Sequence, residues 1–70
     1  MEKEIYDMVE ECIEDILVDS MDLDNQFAKN VLSARYNLKL AKNNGGNTIE
    51  AADKLKMAFE VWKENKEDES

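Results

Sequence analysis

Gly45 and Gly46, inside the run NNGGN, are the only glycines in a chain that has no proline at all. Proline breaks helices and glycine weakens them. A chain without either elsewhere has one programmed interruption, made of residues that tolerate the left-handed conformation at a helix end. No segment alternates β-branched with polar residues, so no strand is expected. The fold class is all-α: a single helical domain over residues 1–66, with a charged, disordered tail at 67–70.

Three helical segments follow from the apolar spacing. In the first, from about Lys3 to Asp19, Ile5, Val9, Cys12, Ile13 and Ile16 form one stripe and acids fill the other side. The second runs from about Asp22 to Asn43. Its main stripe is Leu23, Phe27, Val31, Ala34, Leu38 and Ala41, with a second row of Ala28, Leu32, Tyr36 and Leu40. The third runs from about Thr48 to Lys66, on a stripe of Ala52, Leu55, Phe59 and Trp62. Asn47 and Glu50 stand at capping-box spacing before it. The short loop at NNGGN predicts that helices two and three form an antiparallel hairpin, with Phe27, Val31, Ala34 and Leu38 facing Leu55, Phe59 and Trp62.

The first two segments leave two arrangements open. Their stripes stay in phase, which allows one helix of about 40 residues at 3.6 residues per turn. Against it stands DSMDLDN, rich in residues that prefer caps and turns to helix interiors. A break near residues 19–23 is the favoured reading.

A chain of 70 residues buries only about 60% of its unfolded surface, so small domains of this kind usually need a staple. One Cys excludes an internal disulfide, and the absence of His removes the commonest nitrogen ligand for zinc. Helix packing and oligomerisation remain. Because a helix apolar on two sides has neighbours on two sides, the row Ala28, Leu32, Tyr36 and Leu40 predicts a homodimer interface. Tyr36 either covers a third packed helix or sits between chains.

Charge is distributed unevenly. Residues 1–24 hold ten acids and one base, residues 25–43 hold four bases and no acid, and the whole chain is at −8. Such a balance disfavours direct binding to nucleic acid or to anionic membranes. A lone Cys, and charge rather than an apolar run after Met1, point to a reducing, cytoplasmic setting. Solvated pairing with the second helix neutralises about four of the first segment's acids. The surplus either keeps the chain soluble or imitates a row of phosphates that enters a basic groove of a partner protein. The predicted contacts are Glu4, Asp7, Glu11, Glu14 and Asp15, a ridge about 16 Å long at the helical rise. Small, acidic, helical chains of this composition are common among accessory proteins of phages and mobile elements.

Other sites fail on chemistry. Asp22 and Asp24 match the start of a calcium loop, but Phe27 stands where its Gly is required and Ser33 where its bidentate Glu is required. Glu10, Glu11, Glu14 and Asp15 lack the His of a di-metal bundle site and face away from the stripe. Cys12 has acidic sequence neighbours, which oppose a reactive thiolate, and reads as a small buried apolar residue. No phosphate loop or catalytic triad is present, so neither catalysis, metal nor cofactor is expected. The functional expectation is a regulator, inhibitor or adaptor that binds a basic protein surface; the alternative is a helical oligomerisation module.

Overall fold

The computed structural model describes the backbone of residues 2–69 and the side chains of residues 5–68. Four helices are formed and no strand occurs among the described residues: α1 (Glu2–Glu11), α2 (Ile13–Ser20), α3 (Gln26–Asn44) and α4 (Thr48–Glu69). The last helix runs through the charged stretch at which the sequence places the end of the domain.

α3 and α4 pack along each other across the NNGGN loop. Gly45 takes the left-handed conformation, φ 70°, where a side chain would be strained. The Gly46 N–H then bonds the Ala41 carbonyl at 2.8 Å, the six-to-one bond of a Schellman ending. Asn47 caps α4: its Oδ1 accepts from the Glu50 N–H at 3.0 Å, and its amide faces the Glu50 carboxylate at 3.5 Å.

The first segment, an arm made of α1 and α2, is two helices rather than one. The chain bends at Cys12 (φ −102°, ψ 8°), whose N–H bonds back only three residues, to Val9. The bend divides the arm's packing. α1 lies chiefly against α4, and α2 against α3. The arm is antiparallel to α3, because Tyr6 meets Lys42 while Glu10 meets Arg35. The result is an elongated bundle of 38 × 21 × 17 Å.

The single long helix is excluded by a second break at residues 21–25. The polar run there satisfies its own backbone. Asp22 Oδ1 accepts from the Asp24 N–H, Ser20 Oγ donates to the Leu17 carbonyl, and Asn25 Oδ1 caps α3 at the Ala28 N–H. α3 therefore begins later than the sequence predicts.

The core comprises Ile5, Val9 and Ile16 from the arm, Ala28, Val31 and Leu38 from α3, and Ala52, Leu55, Phe59 and Trp62 from α4. Each large aliphatic side chain here contributes about 1.5–3 kcal/mol by leaving water. Two expectations about α3 are corrected. Phe27 does not sit inside the hairpin but is 38% exposed, and Leu23 lies in the turn, 81% exposed. Ala28, placed in the outer row, is fully buried. The reason is rotational. α3 faces α2 on one side and α4 on the other, so its buried arc is centred between the two rows that periodicity separates.

Candidate functional site

The arm offers two contrasting sides. Its inner acids are engaged. Glu10 Oε1 accepts a charge-assisted hydrogen bond from Arg35 Nε, which raises the Arg35 pKa above its ordinary value against the opposing effect of burial. Both partners keep some solvent contact, so the pair contributes about 0.2–1 kcal/mol. Tyr6 presents its ring to two cations of α3, with the Arg35 guanidinium 5.7 Å and the Lys42 ammonium 5.1 Å from the ring centroid. Asp19 reaches α4. Its Oδ2 accepts from Trp62 Nε1 at 2.9 Å and lies 3.3 Å from Lys66 Nζ.

The outer acids are a different population. Asp7, Glu11, Glu14 and Asp15 are all exposed, and none has an ion pair among the described residues. Glu4, the fifth predicted contact, lies outside the described side chains. Intramolecular pairing is thus thinner than the sequence predicts. Among the described acids of the arm only Glu10 and Asp19 find a cation, and Asp19 finds it on α4 rather than α3. Among the described residues Lys42 meets the Tyr6 ring and no carboxylate.

The predicted oligomer row is only partly available. Ala28 belongs to the chain's own core, Leu32 is half-buried against it, and Tyr36 and Leu40 are 61% and 39% exposed. Cys12 is half-buried at the bend, packed against the core. Asp22 and Asp24 serve their own turn, and among the described residues no group of three or more acids and Cys is arranged to hold a metal ion.

Two features escape the sequence reading. One is a shallow open groove of about 390 Å³ between α3 and α4, lined by Asn30, Ser33, Asn37, Asn47, Glu50 and Lys54 among others. Its polar groups spread along the two helices instead of converging, so nothing in it fixes a small ligand. The other is a set of exposed apolar side chains, Leu17, Val18, Met21 and Leu23, at the end of α2. Val18 and Met21 fall off the buried stripe, which is the signal that marks them.

Among the described residues no helix is long and apolar enough to cross a membrane. Comparison with protein-family models, curated proteins and solved structures finds no match.

Proposed function

We propose that this chain is a non-catalytic regulator, an inhibitor or adaptor, whose acidic arm engages a basic surface on another protein, such as the groove of a nucleic-acid-binding protein. The observation that supports it is the exposed ridge of Asp7, Glu11, Glu14 and Asp15, which has no internal cation among the described residues. Like charges three and four residues apart destabilise a helix by about 0.2–0.5 kcal/mol per pair. A cation-rich partner reverses that cost on binding.

The test is capture of partners from extracts of the source cell at two salt concentrations. A distinct protein is expected at low salt and lost at high salt, because exposed charges are screened beyond about 8–10 Å. Glu11→Lys with Glu14→Lys is expected to abolish capture while leaving the helical circular-dichroism signal unchanged. Capture that ignores both salt and charge reversal contradicts the proposal.

A second reading is favoured by Tyr36 and Leu40, two large apolar side chains left exposed on the outside of α3. It makes the chain a homodimer, joined along Leu32, Tyr36 and Leu40, with assembly as its role. Sedimentation then gives twice the 8.1 kDa chain mass. Tyr36→Lys with Leu40→Lys restores one chain mass without touching the core-facing Leu32. A parent protein that sediments as one chain at tens of micromolar contradicts this reading.

A further inference from the structure

Of the chain's asparagines, only Asn44 is followed by glycine. Asparagine is a chemically labile residue, because its side-chain carboxamide is open to attack by the main-chain nitrogen of the next residue. A side chain on that next residue hinders the approach, and glycine has none. The other asparagines are followed by Gln26, Val31, Leu38, Asn44, Thr48 and Lys66. Asn25 and Asn47 also have their carboxamides committed to capping α3 and α4.

The fold leaves Asn44 free for this reaction. It is the last residue of α3 and is exposed, and its carboxamide has no hydrogen-bond partner among the described residues. Gly45 and Gly46 are exposed as well, and the space where a Gly45 side chain would stand is empty. What holds the nucleophile is the helix ending itself. The Gly45 N–H bonds the Ala41 carbonyl, which also accepts the Gly46 N–H at 2.8 Å. One carbonyl thus carries both bonds of the ending, and opening of the last turn releases the Gly45 nitrogen. Fraying of this kind costs almost no free energy, in contrast to the opening of core elements.

We propose that Asn44 is a self-modification site, where the chain converts its own asparagine to aspartate and isoaspartate with water as the only co-reactant. With the last turn open, the Gly45 nitrogen loses its proton to solvent base and attacks Asn44 Cγ. The new N–Cγ bond closes a succinimide ring, and the side-chain nitrogen leaves as ammonia. Water then opens the ring. Cleavage of the N–Cγ bond leaves an ordinary aspartate. Cleavage of the bond from the same nitrogen to the main-chain carbonyl carbon routes the backbone through Cβ and Cγ and frees that carbonyl as a carboxylate. Nothing is oxidised or reduced.

The product acts on the corner of the α3–α4 hairpin. Either form adds a negative charge at the C-terminal end of α3, where the helix dipole disfavours it. Lys42, the base of that last turn, is held over the Tyr6 ring. Isoaspartate also lengthens the backbone immediately before Gly45, whose left-handed conformation makes the ending. The reaction therefore loosens the corner, and it runs in one direction.

The test incubates the full chain in mildly alkaline buffer beside an unfolded synthetic peptide of residues 41–49. Proteolytic fragments are separated and sequenced by mass spectrometry. Position 44 is expected to gain the mass difference between water and ammonia, in two chromatographically distinct products. Conversion in the folded chain is expected within about tenfold of the peptide rate, the scale of a fraying helix end. Asn44→Gln is expected to abolish conversion and keep the helical signal, since glutamine closes a larger ring far more slowly. The converted chain, isolated by ion exchange on its added charge, is expected to melt about 4–8 °C below the parent, the shift for one lost cap in a domain of this length. Conversion of other asparagines as fast as Asn44 overturns the assignment. So does a folded chain that converts about a hundredfold more slowly than the peptide, which places the reaction on globally unfolded molecules. A converted chain that melts with the parent overturns the loosened corner.

Discussion

Trp62→Ala is expected to remove about a third or more of the chain's stability and to lower its melting midpoint steeply. Trp62 is 3% exposed, stacks on Phe59 with ring centroids 5.7 Å apart, and donates its indole N–H to Asp19 at 2.9 Å. Lys66 closes over the same ring at 5.9 Å. Truncating a buried Trp to Ala costs about 3–5 kcal/mol. At about 0.05–0.15 kcal/mol per residue, a domain of this length has a total stability of about 4–10 kcal/mol. The substitution therefore removes a third of the stability at the least, and all of it at the lower limit. Thermal melting followed by circular dichroism reads the outcome. Trp62→Phe is the milder variant, since it keeps an aromatic ring against Phe59 while removing the donor to Asp19 and part of the buried ring volume; the lost donor alone leaves Asp19 short by about 1–3 kcal/mol. An alanine variant that melts with the parent's cooperativity and midpoint would place Trp62 outside the core.

The second large effect concerns the arm. A fragment of residues 25–70 is expected to lose cooperative melting and most of its helical signal, although α3 and α4 form a long hairpin. Ile5, Val9 and Ile16 are nearly or fully buried, and deleting the arm removes all three from the core. At about 1.5–3 kcal/mol each, their departure withdraws about 5–9 kcal/mol, comparable with the whole stability. It also uncovers the side of α3 that packs against α2. Adding residues 1–24 as a separate peptide is expected to restore part of the helical signal. A fragment that melts cooperatively by itself would show that the hairpin is the folding unit and the arm an accessory.

The hairpin was legible because its ending has a distinctive chemistry. Only NNGGN offers a left-handed residue, and Asn47 with Glu50 announces the next helix. DSMDLDN was legible for a related reason: Asp, Ser and Asn satisfy a turn's backbone groups, as Asp22, Ser20 and Asn25 do. The bend at Cys12 was not legible. No Pro, Gly or side-chain cap stands there, and its one local sign is the acidic pair Glu14 and Asp15 in the first turn of α2, which suits a helix start. The rotation of α3 was hidden because periodicity averages over two neighbours. The acidic ridge was readable as the side opposite Ile5, Val9 and Ile16, and the loss of internal pairs was not, since Lys42 had an aromatic alternative in Tyr6. The exposed apolar side chains at the end of α2 lay in view as Val18 and Met21. Residues off the main stripe near a turn are easily set aside, and their exposure in the folded chain is what marks them.

Asp19 closes the bundle by bonding to residues 43 and 47 positions further along the chain. For a protein made from its N-terminus, this sets an order of events at synthesis. The arm emerges ahead of α3 and α4, the helices it packs against. α3 follows and gives α2 a surface, but α1 waits for α4, and the Asp19 clasp waits for Trp62 and Lys66 near the end of the last helix. Until then Ile5, Val9 and Ile16 have no complete shelter, a condition in which nascent chains associate with one another. The ten acids of residues 1–24 are already present during that interval and make neighbouring nascent arms repel. The charge that later lies along the outside of the finished protein thus guards its unfinished inside.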